Sequence, residues 1–247
     1  MELEFGKHWV ENLSPYIKDV APYLEPLKPF KSFLNVNMDT LIAAWTVMAV
    51  LVVFGFIITR RLTRIPDGLQ AFAEMIMDFV EGLTRDQIGK ESKRFVPLIG
   101  SLFLFILFSN LLGELPLKLY HLKQGDFASP TNDINVTAAL AIIVSIVYLG
   151  SGIAKKGIGY FKHYFQPIWI MAPLIFMEDF TRPLSLAVRL FANILAGEII
   201  IMVLIGLFPI GLDVPMMLFE LFVAFIQAFI FSVLAASYIG GALAEDH

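Results

Sequence analysis

The stretch SLAVRLFANILAGE, residues 185–198, places Arg189 in the middle of apolar neighbours. It belongs to a nearly continuous apolar region, 167–208, whose other charged residues are Glu178, Asp179, Arg182 and Glu198. As one helix, roughly 40 residues at 1.5 Å each would measure about 60 Å, twice the thickness of a bilayer hydrocarbon core. This region therefore predicts a helix that either tilts strongly or breaks at Pro173 or Pro183.

Further apolar segments lie on either side of this region. Each has about 18 residues or more, enough for a helix to cross the bilayer. They cover residues 41–58, 95–115, 136–153 and 214–242. Apolar residues make up 57% of the chain, compared with about 45–50% in soluble proteins. We therefore predict an all-α polytopic membrane protein with about five crossing helices, the last two of them long.

Two other segments are not predicted to cross. Residues 67–85 carry apolar side chains at helical spacing, with acidic residues on much of the remaining surface. This pattern predicts an amphipathic helix lying on the membrane surface or against other helices. Residues 1–38 contain four prolines and mixed charges, which predict an extended or short-helical arm. Residues 39–247 then form the membrane domain.

The basic residues predict the orientation. Five crossings put the two termini on opposite sides. One side carries ten basic residues: Arg60, Arg61, Arg64, Arg85, Lys90, Lys93, Arg94, Lys155, Lys156 and Lys162. The other carries six: Lys7, Lys18, Lys28, Lys31, Lys118 and Lys123. Because basic loops face the cytoplasm or stroma, we expect the C-terminus on that side and the N-terminus across the membrane.

The composition excludes several classes of site. The chain has no cysteine, which excludes disulfides, thiolate zinc sites and cysteine-ligated iron–sulfur clusters. A net charge of −4 is too small to suggest nucleic-acid binding. All four histidines lie outside the predicted spans, so no haem is held inside the membrane by paired histidines. No phosphate-binding glycine loop or nucleophile motif is present. We therefore expect no metal, no cofactor and no catalytic residue.

Arg189 is the charge that most needs explanation. An arginine at the centre of a membrane helix costs about 2.5–3.5 kcal/mol on insertion scales. No carboxylate lies three or four residues away along the chain, so its counter-charge must come from another helix or another subunit. A salt bridge between helices is one interpretation. We favour the other, in which the buried, fixed charge acts on a group that moves past it.

The other charges of this region divide into two sets. Glu178, Arg182, Arg189 and Asn193 fall within one narrow stripe of the helix. Glu178 and Arg182 are four residues apart and can neutralise each other, so a structural role is favoured for them and for Asp179. Glu198 lies about 180° around the helix from Arg189 and faces away from it.

The last helix carries a second polar stripe. Asp213, Glu220 and Gln227 follow one another at intervals of seven residues and share one face. Carboxyl groups in an apolar environment can exchange protons near neutral pH, so this face is a candidate proton path. The alternative is that these groups only hydrogen-bond neighbouring helices.

Polar residues near one end of the second and third spans have two equal interpretations. Asn110 and Glu114 end the second span, and Asp133 opens the third. They could line the mouth of an aqueous pocket, or they could be helix caps and interface residues.

Residues 185–198 closely resemble the signature of subunit a of the F-type ATP synthase. NLLGELP at 110–116, the long charged region and Gln227 in the last helix extend the resemblance to nearly the whole chain from about residue 38. RLFANILAGE and EDFTRPLSLAVR resemble the chloroplast and cyanobacterial branch.

The resemblance implies a non-catalytic, proton-conducting stator subunit whose long helices tilt along a ring of c subunits. Arg189 would face the c-subunit carboxylates and separate two half-channels. The half-channel on the N-terminal side would involve, by this resemblance, Asn193, Glu198, Glu220 and Gln227, with Asn110, Glu114 and Asp133 nearer its mouth.

The implied partners are the c-ring, b-type subunits of the peripheral stalk, the lipid bilayer and protons, with no nucleotide bound by this chain. The implied location is the chloroplast thylakoid membrane, with the N-terminus lumenal and the C-terminus stromal. Two alternatives remain. A stand-alone channel or secondary transporter is disfavoured because no internal repeat is visible. A structural subunit of a respiratory complex would use its charges only to hold helices together.

Overall fold

The fold is helical throughout the described residues. The computed structural model describes residues 38–60, 62–66, 68–114, 129–157, 172–207 and 213–244. Its α-helices in these ranges are α1 (Met38–Thr59), α2 (Leu69–Ile88), α3 (Val96–Glu114), α4 (Ile134–Lys156), α5 (Ala172–Leu207) and α6 (Asp213–Leu243). Two short 3-10 helices, Gly89–Arg94 and Pro130–Asn132, precede α3 and α4. The predicted all-α class is confirmed. The predicted N-terminal arm lies almost wholly outside the described residues.

Four described helices are long and apolar enough to cross a membrane. They contain the segments Thr40–Thr59, Val96–Gly113, Ile134–Lys156 and Pro215–Leu243. These segments correspond to four of the spans predicted from the sequence. Each predicted span was an apolar run bounded by charged or turn-forming residues, which explains why the pattern located them.

The region around Arg189 forms one continuous helix. α5 has 36 residues and is about 54 Å long at 1.5 Å per residue, well beyond the hydrocarbon thickness of about 30 Å. Pro183 lies inside it and does not end it. Pro173 is its second residue, where a missing N–H is tolerated. The predicted break at either proline does not occur. A membrane can therefore accommodate α5 only if the helix tilts or extends beyond the hydrocarbon core.

α6 is the central helix of the described structure. It packs against α2, α3, α4 and α5. Its buried stripe is rich in alanine and comprises Ala224, Ala228, Phe231, Ala235, Ala236 and Ile239. Small side chains allow helices to approach closely, which is how helices associate where lipid removes the hydrophobic driving force. This packing fixes the rotation of α6 and hence the direction of its polar residues.

The amphipathic helix, α2, packs against other helices, which is one of the two positions predicted for it. The ring of Phe79 in α2 lies 5.6 Å from that of Phe103 in α3. It also lies 6.3 and 5.8 Å from the rings of Phe225 and Phe229 in α6. These are aromatic contact distances. α2 therefore covers the junction between α3 and α6.

Candidate functional site

Arg189 lies on the outer face of α5. Its neighbours Leu186, Leu190 and Ile194 point into the chain and are buried, whereas the Arg189 side chain is exposed. The surrounding surface of α5 and α6 is apolar and exposed, and includes Phe180, Leu184, Val188, Leu195, Ile199, Phe219 and Phe222. Among the residues that the structure describes, none buries Arg189. The prediction that it is buried therefore stays a prediction about the assembled membrane complex.

Arg189 has no ion-pair partner within the part of the chain that the structure describes. A guanidinium facing hydrocarbon is costly. An exposed apolar surface that carries one such charge is therefore suited to contact with another protein that supplies a carboxylate.

Arg182, the other arginine of the stripe, has acidic and aromatic partners within the chain. Arg182 Nη2 lies 2.6 Å from Glu178 Oε1, and Nη1 lies 3.4 Å from Asp179 Oδ1. Its guanidinium carbon also lies 5.4 Å from the centre of the Tyr238 ring in α6, which is within cation–π range. The predicted pairing of Arg182 with its acidic neighbours is confirmed.

A pocket of about 180 Å³ opens between α5 and α6. Asn193, one turn after Arg189, lines it together with Gly197, Glu220 and Ala224. A Cβ atom placed on Gly197 would lie 2.8 Å from Glu220 Oε1 and 3.2 Å from its Cδ. The glycine therefore provides the space in which the Glu220 carboxyl lies.

Glu220 and Gln227 both point inwards from α6. They are 6% and 5% exposed, so the seven-residue spacing did predict a shared face. The Gln227 Nε2 group is buried and donates to no hydrogen-bond acceptor among the described residues. Asp213 begins α6 and Glu198 lies in α5, but their side chains lie outside the described set.

Asn110 belongs to a buried polar network. Its Nδ2 donates to the carbonyl oxygen of Ala224 at 3.4 Å, and its Oδ1 accepts from Thr131 Oγ1 at 2.7 Å. Thr131 Oγ1 lies 2.7 Å from Ser129 Oγ, which donates to the Ser109 carbonyl at 2.8 Å. This network joins α3, the Pro130–Asn132 turn and α6. Through Ala224 it reaches the pocket that contains Glu220.

Asp133 is the N-cap of α4. Its Oδ1 accepts from the backbone N–H of Asn135 at 2.9 Å, which confirms the cap interpretation for that oxygen. The other oxygen, Oδ2, is buried and has no hydrogen-bond partner among the described residues. Glu114 ends α3, and its side chain is not described.

The sequence interpretation missed Ser129, Thr131 and Gly197. A serine followed by proline is a known signal for the start of a helical turn, and it would have drawn attention to Ser129. No local pattern marks Thr131 or Gly197, because their partners lie on other helices. Among the described residues, no three His, Asp or Glu side chains come together as a metal site requires.

Comparison with known proteins finds similarity both to a family model and to individual relatives. A family model described as ATP synthase A chain matches residues 41–240. A relative described as ATP synthase subunit a, from Gloeobacter violaceus, is 47% identical over 246 residues. That alignment covers 99% of this chain and 92% of the relative.

Proposed function

Because this chain belongs to the ATP synthase A chain family, and so is a membrane subunit of the proton-translocating Fo sector, we propose that Arg189 separates two proton half-channels beside a rotating c-ring. The observation that carries this proposal is its position. Arg189 is exposed on an apolar surface, without an ion-pair partner in the described chain, and one helical turn before Asn193, which lines a pocket together with Glu220.

The fixed charge would act on carboxyl groups of the ring. At about 4 Å and an effective dielectric constant of about 20, opposite unit charges attract by about 4 kcal/mol. That energy favours the ionised carboxylate by a factor of about a thousand. A protonated carboxyl arriving at Arg189 would therefore release its proton. An arginine also stays charged at all relevant pH values, so it would not itself carry protons from one half-channel to the other.

The pocket between α5 and α6 would form part of the half-channel on the N-terminal side. Glu220 and Gln227 would pass protons along the inner face of α6, and Asn193 would set the polarity next to Arg189. Glu198 of α5 would belong to the same path. The Asn110 network and Asp133, together with Glu114, would lie nearer the mouth. The other half-channel would open on the basic side of the membrane.

The remaining parts of the proposal concern the assembly. The exposed apolar surface of α5 and α6 would face the c-ring, with both helices tilted along it. Peripheral-stalk subunits of the b type would hold the chain in place against rotation. We further propose a thylakoid location, with the N-terminus lumenal and the C-terminus stromal. This chain would bind no nucleotide and catalyse no covalent step.

The test is proton flux through reconstituted membrane sectors that carry Arg189→Ala, with ATP synthesis measured on the same preparation. We expect ATP synthesis to fall about a hundredfold or more, because the lost charge favours the ionised carboxylate by about three orders of magnitude. The complex should stay assembled, and passive proton leak should persist or rise. Arg85→Ala is the control, because it removes an exposed arginine from α2, away from the α5–α6 surface.

Survival of coupled synthesis in Arg189→Ala would contradict the proposal and leave a structural arginine. Co-purification separates the alternatives. A ring of small hairpin subunits accompanies the chain in the proposed complex, whereas a stand-alone channel or transporter purifies without one.

A further inference from the structure

Pro183 interrupts the hydrogen bonds of α5. It lies inside the helix, and proline has no backbone N–H. The carbonyl oxygen four residues earlier, that of Asp179, therefore loses its usual helical donor. An unsatisfied carbonyl in an apolar environment is costly, and the helix can bend at this point.

A tyrosine from a neighbouring helix supplies the missing donor. The hydroxyl of Tyr148 in α4 donates to the Asp179 carbonyl oxygen at 3.2 Å. Tyr148 is only 1% exposed, so its hydroxyl reaches the carbonyl from the interior of the helix packing. Its ring lies 6.4 Å from the ring of Tyr238 in α6, on which Arg182 stacks. The proline turn of α5 is thus held from both α4 and α6.

We infer that Tyr148 is a positioning residue, which replaces the hydrogen bond lost at Pro183 and so fixes the direction of the α5 segment that carries Arg189. Pro183 precedes Arg189 by six residues, less than two turns. A change of direction at the proline would displace the guanidinium relative to the Glu220 pocket and relative to any partner. This inference rests on the proposed function of Arg189.

The test uses Pro183→Ala as a second substitution, because alanine has the backbone N–H that proline lacks. Tyr148→Phe removes the hydroxyl and keeps the ring. We expect it to lower ATP synthesis per assembled complex about two- to tenfold, the range that the net energy of one hydrogen bond gives. In a Pro183→Ala background, the N–H of the alanine can donate to the Asp179 carbonyl. Tyr148→Phe should then change synthesis by less than about twofold.

A distance measurement between two helices, which does not depend on proton flux, accompanies the synthesis assay. The chain has no cysteine, so spin labels can be placed at Ile146→Cys in α4 and Val203→Cys in α5, both exposed positions. We expect Tyr148→Phe to shift or broaden the distance distribution between the labels. Adding Pro183→Ala to Tyr148→Phe should narrow it again. The distances decide the matter even if Pro183→Ala alone impairs synthesis.

An equal effect of Tyr148→Phe in both backgrounds, or no effect on the distances, would overturn the inference, since the hydroxyl would then act elsewhere or not at all. Arg189→Ala in the same preparations tests the proposed function separately. If it leaves synthesis intact while the distances respond to Tyr148→Phe, the positioning of α5 stands and the role of Arg189 does not.

Discussion

Arg182 and Arg189 are seven residues apart on one helix and about 20° apart around its axis, yet their surroundings differ. Arg182 forms ion pairs with Glu178 and Asp179 and stacks on Tyr238. Arg189 is exposed among apolar residues and has no such pair in the described chain. The first charge is satisfied inside the subunit. The second is suited to a charge that another subunit brings.

The difference shows that residue type and helical stripe do not determine the role of a membrane arginine. What separates the two is the presence of acidic neighbours one turn away, which only Arg182 has. A charge with local partners can stabilise the subunit by itself. A charge without them is costly in the isolated chain, so its presence there favours a function in the complex.

Lysine substitutions should give the largest difference in ATP synthesis between Arg182 and Arg189. Lysine keeps the charge but loses the planar, five-donor geometry of arginine. We expect Arg189→Lys to lower ATP synthesis at least about tenfold, the cost of about 1.4 kcal/mol in positioning the charge. Arg182→Lys should retain more than about half, because lysine keeps the positive charge that pairs with Glu178 and Asp179. Synthesis rates normalised to assembled complex measure both, and equal losses would remove the distinction between the two arginines.

A smaller effect on proton flux is expected from filling the pocket between α5 and α6. In Gly197→Ala the new Cβ would lie 2.8 Å from Glu220 Oε1, so the carboxyl must move while the backbones stay in place. We expect proton flux to fall about two- to tenfold, as for a displaced hydrogen-bonding group, with normal assembly.

Gly150→Ala is the control for that substitution. Gly150 lies in α4, and a Cβ there meets nothing within 4 Å. Glu220→Asp, whose side chain is one methylene shorter, should relieve the crowding when combined with Gly197→Ala. Normal proton flux in Gly197→Ala would mean that the position of the Glu220 carboxyl does not affect proton transfer. The pocket would then not contribute to the difference between Arg189 and Arg182.

Most of the helical framework was predictable, because membrane helices are long apolar runs and the bilayer sets their length. The first span was expected at 41–58 and extends over Met38–Thr59. Periodicity also gave the shared face of Glu220 and Gln227, and local spacing gave the pairing of Glu178 with Arg182.

Contacts between helices were not predictable from one sequence. Asn110 bonds to Ala224, 114 positions away, and Tyr148 bonds to the Asp179 carbonyl across 31 positions. Periodicity states which residues share a face but not what that face meets. For the same reason the sequence singled out Arg189 without showing that it points out of the subunit.

The smallest effect on function is expected where the polar network supports the pocket from behind. Thr131→Val keeps the shape of the side chain and removes the hydroxyl that donates to Asn110 Oδ1 at 2.7 Å. A buried acceptor left without its donor costs about 1–3 kcal/mol, so the purified sector should lose activity at a lower temperature. Proton flux at ambient temperature should change less than about twofold, because Thr131 does not itself line the pocket.

Thr46→Val is the matched control, since Thr46 is exposed on α1 and its hydroxyl bonds only within that helix, to the Ile42 carbonyl at 2.8 Å. Its thermal inactivation should match that of the unmodified chain. If Thr131→Val instead lowers flux more than Gly197→Ala does, while stability is unchanged, the hydroxyl and amide groups around Asn110 carry protons themselves. The polar environment that distinguishes the Arg189 turn would then extend from the α5–α6 pocket through to α3.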